Sequence, residues 1–177
     1  TLPKGEMLRG LLGIEEHNVL EYEVDSVFPI ANRPIYVKPV SRMGLKYIDE
    51  GLPKVADTIN KLMDAYPDRK MLVHTQSGKV QRYQSERMND QSRVLTHITE
   101  TREATFAFFT QTKEPKVLFS PSAETGLDVP DLTVNVIAKV SFGFLGDPWI
   151  VARKNDWPEW YSFDAAFRTV QALGRAP

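Results

Sequence analysis

The sequence predicts an α/β domain in which a mostly parallel sheet carries helices on both faces. Three observations predict it. Short apolar runs of strand length, Met71-Leu72-Val73 and Val117-Leu118-Phe119 among them, have the unbroken hydrophobicity of strands buried on two sides. Segments with apolar residues three and four apart alternate with these runs through short connectors, the pattern of right-handed crossovers. Polar clusters follow the strands, at the end of an open sheet where ligands bind.

After an amphipathic or loop-like opening, "NVLEYEVDSVF" and "RPIYVKPV" read as extended, punctuated by Pro29, Pro34 and Pro39. In "EGLPKVADTINKLMDAYPD" the residues Leu52, Val55, Ala56, Ile59, Leu62 and Met63 recur at helical spacing, and Pro67 closes the segment. "RKMLVHT" (69–75) is a buried strand running into "QSGK", with a helix in "KVQRYQSERMN" behind it. "RVLTHI" is a further strand. "TREATFAFFTQTK" is a helix with Thr101 as N-cap and Ala104, Phe108 and Phe109 inward. "KVLFS" and "TVNVIAKV" are strands, and "SFDAAFRTVQALG" is a helix capped by Ser162 with Phe163, Ala166, Phe167, Val170 and Leu173 on one face. Between the last two lies a long connector, Val140 to Tyr161, whose tryptophans Trp149, Trp157 and Trp160 suit packing under a loop better than stacking on a base.

With 177 residues, 42% hydrophobic and 25% charged, the chain suits one folded domain. Its 22 basic and 23 acidic residues exclude a polybasic protein, so any nucleic-acid contact must come from a local arrangement. The absence of cysteine removes disulfides, thiolate metal sites and cysteine nucleophiles from this segment. No apolar run approaches the roughly 20 residues that span a bilayer. The expectation is a domain of the cytoplasm, or of the nucleus in a eukaryote, with no membrane partner. His17, His74 and His97 are scattered, without carboxylates at metal spacing, and read as structural.

Thr75-Gln76-Ser77-Gly78 follows one strand, and Ser120-Pro121-Ser122, Glu124, Thr125, Gly126 and Asp128 follow another. Gln171, Gly174 and Arg175 stand at the far end of the last helix. Hydroxyls and free backbone N–H groups at strand-to-helix junctions suit phosphate oxygens. Each cluster alone is also what turns and caps are made of.

Taken together and in order, "MLVHTQSGKVQRY", "SPSAETGLDVPD", "FGFLGDPWIVARK" and "WPEWYSFDAAFRTVQALGR" resemble motifs IV, V and VI, with the intervening segments, of the second motor domain of XPD/DinG-type superfamily 2 DNA helicases. The likeness extends to "TL" at the start and to "VFPIANRPIYV", and so spans nearly the whole chain. It implies a single RecA-like (P-loop NTPase-type) helicase C-terminal domain over residues 1–177, part of a larger helicase whose first motor domain lies elsewhere. The partners implied are that first RecA-like domain and single-stranded DNA.

By the same resemblance, Gln171, Gly174 and Arg175 face ATP held by the partner domain, with Arg175 as an arginine finger. Such a guanidinium matches the spread charge of a transferring phosphoryl group and is worth about 10³–10⁵ in rate. As a plain helix-end cation it would contribute only about 0.3–1 kcal/mol. Gly126 and Asp128 would lie near the nucleotide and its Mg²⁺, and Ser120 and Ser122 would face the DNA strand. Thr75, Ser77 and Lys79 would hold DNA phosphates, and Arg153 would lie beside the DNA path. Lys79, Arg82 and Arg87 read equally as a solvated helix face. The chain departs from the family at Thr125, where the family has glutamate just before the glycine, Glu124 standing one place early.

The sequence holds no GxxxxGK[ST] and no Asp-Glu pair in helicase context, so the grip on ATP and Mg²⁺ is expected on the first domain, in many relatives beside an iron–sulfur cluster. This segment alone is expected not to hydrolyse ATP. The chain stops one place short of a further family arginine, and the closing strand of the family is lacking, as expected of a fragment. An alternative is a RecA-like module that binds nucleic acid or a protein without ATPase activity. A metabolic α/β enzyme finds no Ser-His-Asp order, metal cluster or glycine-rich dinucleotide turn here.

Overall fold

The computed structural model describes residues 34–124 and 127–174, together with 9, 10, 13–15, 18, 20, 22, 24 and 25. The two apolar runs become the centre of a parallel sheet, β1 (Met71–His74) and β3 (Val117–Ser120), every residue of which is buried. β2 (Val94–Leu95) pairs with β3, and β4 (Val134–Ile137) pairs with the other side of β1. The order is β2-β3-β1-β4. Side chains alternate across the sheet, so Met71, Val73, Val117 and Phe119 share one face while Leu72 and Leu118 share the other.

The first face is covered by α1 (Ile48–Ala65), through Val55, Ala56, Ile59 and Met63. Gly51 is needed there, because a Cβ would fall 2.6 Å from Met43 Sδ and 2.9 Å from the Arg42 carbonyl oxygen. Beside α1 lies α2 (Gly78–Ser85), with Val80 against Ile48 and Leu52. The opposite face is covered by α3 (Arg102–Gln111), by the buried residues Leu127, Val129 and Leu132, and by α5 (Pro158–Leu173), which packs on β4. α4 (Pro148–Asp156) packs against α5. The result is the three-layer α/β arrangement that the sequence predicts, compatible with a RecA-like domain. Among the described residues no helix is long and apolar enough to cross a membrane.

Several local expectations are corrected. The segment 34–40 joins no strand, and Ile35, Tyr36 and Val37 are exposed; most of "NVLEYEVDSVF" lies outside the described residues. "RVLTHI" pairs only through Val94 and Leu95, because the preceding residues turn as a 3₁₀ helix whose Asp90 cap binds the Ser92 N–H. In α3 the inward pair is Phe106 and Phe109, three apart, whereas Ala104 and Phe108 face solvent. Thr101 occupies the cap position of α3 but its hydroxyl binds Ile98 instead. The connector Val140–Tyr161 contains a helix, α4, started by the Asp147 carboxylate on the Trp149 N–H (2.8 Å) and by Pro148 in the first turn. The last helix starts at Pro158, so Ser162 lies inside it, and its buried residues are Trp160, Ala165 and Ala172.

A buried cation ties these layers at the amino ends of the strands. Arg93 is 7% exposed and gives Nε to the Pro115 carbonyl (2.6 Å), Nη1 to Met63 (3.0 Å) and Nη2 to Tyr66 (3.1 Å) and Arg69 (2.9 Å). Met63 lies in the last turn of α1 and Tyr66 is its C-cap, where the dipole puts partial negative charge, so the guanidinium caps that helix while fastening the loops that lead into β1 and β3. Replacing Arg93 with alanine strands buried carbonyls at about 1–3 kcal/mol each, so urea denaturation of R93A is expected to show a loss on the order of 3 kcal/mol. R93K should recover little, because one ammonium cannot span four acceptors. A loss under about 1 kcal/mol for R93A would remove the guanidinium from this role.

Candidate functional site

The connection leaving β1 enters α2 on the α1 face, whereas the connection leaving β3 descends through Leu127, Val129 and Leu132 on the opposite face. Neighbouring strands whose chains depart to opposite sides leave a crevice at their carboxyl ends, and ligands of open α/β sheets bind in that crevice. Both polar clusters from the sequence stand at it. They are joined by the Thr75 N–H, which donates to the Ser120 carbonyl at 2.9 Å, one rung beyond the ladder.

The chain turns from β1 into α2 within three residues. Gln76 takes φ +66, a left-handed conformation that costs a non-glycine residue roughly 1 kcal/mol or more. Ser77 is extended and caps α2, accepting from the Val80 N–H at 3.4 Å. Thr75 is fully buried, and its Oγ1 and the Gln76 Oε1 are buried without a hydrogen-bond partner. Lys79, exposed, reaches Asp49 at 3.3 Å.

The β3 loop is held from beneath. Ser120 is fully buried, and its Oγ lies 2.8 Å from His97 Nε2 while accepting from the Ser122 N–H at 3.2 Å. The Ile98 carbonyl, 3.3 Å from His97 Nδ1, can only accept, so the neutral ring carries its proton on Nδ1 and the Ser120 hydroxyl donates to Nε2. The ring meets the edge of Phe106, 5.2 Å between centroids. Ser122 is gripped by Arg102, the first residue of α3, through Nε to Oγ (3.2 Å) and Nη2 to the carbonyl (3.3 Å). Arg102 also pairs with Glu103 and lies over Phe106 at 4.4 Å. Gln81 of α2 closes the floor, donating to the carbonyls of Phe119 (2.9 Å) and His97 (3.1 Å).

Thr75 and Ser120 are both fully buried, Ser120 with its hydroxyl on His97. Ser77, Ser122 and Lys79 remain at the rim. Arg153 is elsewhere, on α4, stacked over Trp149 (4.0 Å) and Trp160 (5.1 Å). His97 and Arg102 are the residues that sequence reasoning missed as site residues. Their contacts span 23 and 20 positions, so no local spacing reveals them.

The residues expected at a nucleotide divide. Gly126 and Arg175 lie outside the described residues, as does Thr125. The Asp128 carboxylate is exposed, and its backbone carbonyl lies 3.5 Å from Thr110 Oγ1. Asn135 of β4 is the register partner of Leu72 and so points to the face that carries Leu127, Val129 and Leu132. Its Nδ2 donates to the Ala172 carbonyl at 2.7 Å, which seats the last turn of α5, with Gln171 and Gly174, on that same face. Gly174 has φ −70, and a Cβ there would meet only ordinary contacts at 3.6 and 3.7 Å, so its own backbone does not demand glycine. The structure thus seats Gln171 and Gly174 through β4, and Asp128 beside Thr110 of α3. Among the described residues no group of three His, Asp or Glu is placed to hold a metal ion.

No family model matches the chain, and no curated protein matches it significantly.

Burial is the main cause holding the His97 pKa below its ordinary 6.5, with the Arg102 charge acting in the same direction and the hydrogen bond to Ile98 opposing. The unfolded chain then binds the extra proton first, so folding stability is complete above about pH 6.5 and declines as pH falls below it. Thermal unfolding followed across pH 7 to about 5 should show this decline, and H97Q, whose amide keeps a hydrogen bond without titrating, should flatten it. An unaltered slope in H97Q would assign the decline to other groups.

Proposed function

We propose that this chain is the second RecA-like motor domain of an ATP-dependent DNA helicase, the crevice at the ends of β1 and β3 facing single-stranded DNA and the α5 end facing a nucleotide. The observation that carries this reading is the convergence, at one switch point of a parallel sheet, of two polar strand-end loops and the amino ends of α2 and α3. Two helix N-termini direct partial positive charge toward one place, which suits a phosphodiester backbone. Ser77, Ser122, Lys79 and the guanidinium of Arg102 are the groups at that rim. Phosphate contacts of this kind position a strand without reading its sequence, as translocation requires.

One inward hydroxyl acts a step behind: Ser120, held by His97, fixes the Ser122 N–H, while the backbone N–H of Thr75 ties its loop to the Ser120 carbonyl. On the other side, the motif order assigns Gln171, Gly174, Arg175 and Asp128 to the nucleotide held by the first domain. Bound there, MgATP supplies the phosphoryl group whose transfer to water drives the cycle. The residues of this chain orient it and offset its charge, Arg175 by matching the transferring group with a permanent planar cation.

The reading rests on residues and geometry together, since the motif order in the sequence supplies the nucleotide side. Joined to a first motor domain bearing a phosphate-gripping loop, the chain is expected to support DNA-stimulated ATP hydrolysis, and Arg175→Ala to lower turnover by about 10³-fold or more. Turnover unchanged by R175A would dismiss the arginine finger. DNA affinity indifferent to nucleotide, with no hydrolysis in the joined protein, would instead identify a RecA-like binding module without motor activity.

A further inference from the structure

Beyond the crevice, one face of α2 and of the turn after it carries charges that the core does not use. Lys79, Arg82, Tyr83, Glu86 and Arg87 line a shallow depression of about 440 Å³. The opposite side of the helix is buried through Val80, Gln81 and Gln84.

Three features of this face are unfavourable for α2 itself. Its first turn holds no acidic residue, and Lys79 instead puts a cation at the positive end of the dipole. Lys79 and Arg82, three apart, repel each other at a similar cost. The Lys79–Asp49 pair is exposed on both sides, the kind that offsets little. Arg87, by contrast, is held: its guanidinium lies 3.6 Å above the centroid of Tyr83 and donates to the Tyr83 carbonyl at 3.3 Å. Tyr83 in turn packs against the Ile48–Leu52–Val80 cluster. A planar cation is thus fixed at the exposed surface, in the turn that follows α2.

We propose that this face is a second contact site for single-stranded nucleic acid, in which Lys79 and Arg82 take backbone phosphates and the Tyr83–Arg87 stack receives an unpaired base. An anion along the first turn relieves the charge that α2 leaves uncompensated. Base stacking on the guanidinium plane distinguishes this partner from an anionic lipid surface, which offers charge without a flat ring. The inference rests on the reading of the crevice as a DNA site and extends it along α2, with Arg82, Tyr83 and Arg87 as added contacts.

The test is fluorescence anisotropy of the 177-residue chain with a labelled oligothymidylate of about 20 nucleotides, titrated between about 50 and 200 mM salt. R82A/R87A is expected to weaken binding at least about tenfold at low salt and to lower the salt slope by about 0.7, the share of the one phosphate that Arg82 takes. R87K keeps the charge and loses the plane, so it should erase the preference for oligothymidylate over an abasic strand of equal length while leaving the salt slope in place. Parent-like affinity and slope in R82A/R87A would overturn the site while leaving the crevice reading intact. No binding of the oligothymidylate by the parent chain overturns both. Binding to phosphatidylserine vesicles but not to the oligothymidylate assigns the face to a membrane and also overturns the proposal.

Discussion

The sheet depends on a buried positive charge that is satisfied by backbone alone. Arg93 reaches the end of α1, the turn before β1 and the loop before β3 at once. Carbonyl oxygens are weak acceptors singly, but four around one guanidinium, one of them from a helix terminus, make a charge tolerable where it is almost wholly out of water. The constraint is geometric: the three segments must arrive together for the side chain to be paired. At the same end, Lys70 is buried with its ammonium on the Asp131 carboxylate (2.9 Å) and the Thr110 carbonyl (3.3 Å), which fastens α3 and the approach to β4. The Lys70 hydrogen bond is the main cause lowering the Asp131 pKa.

With the amino ends of the strands fixed in this way, the carboxyl ends are free to carry chemistry. There the hydroxyls are used in two tiers. The Ser120 hydroxyl is spent on loop geometry and that of Thr75 is buried without a partner, while Ser77, Ser122 and the cations Lys79 and Arg102 stay at the rim. The strain at Gln76 belongs to this end too, where a strand must become a helix within three residues.

The layers were legible because they rest on periodicity. The apolar positions of α1 and the unbroken runs of β1 and β3 can be read directly, since each is a local pattern with one low-energy outcome. Other features were legible but outweighed. Asp147-Pro148 is a helix start, yet the aromatic density around it suggested a loop, and "TFAFF" offers three phenylalanines of which only packing against Leu118 selects Phe106 and Phe109. The His97–Ser120 and Arg102–Ser122 contacts were not legible, because nothing local in the sequence specifies which distant strand end a side chain will meet. The clusters named from motif order at Thr75–Lys79 and Ser120–Ser122 do fall at one crevice, though which hydroxyls point outward was decided by hydrogen bonding within the loops.

Asn135 is a polar residue on a strand whose neighbours Val134 and Val136 are apolar, and its Oδ1 is buried without a partner. Its amide nitrogen is relieved only where the Ala172 carbonyl sits, so sliding the final helix by a turn would leave both ends of the amide stranded. A single asparagine thereby gives that helix one berth instead of a smooth apolar slope.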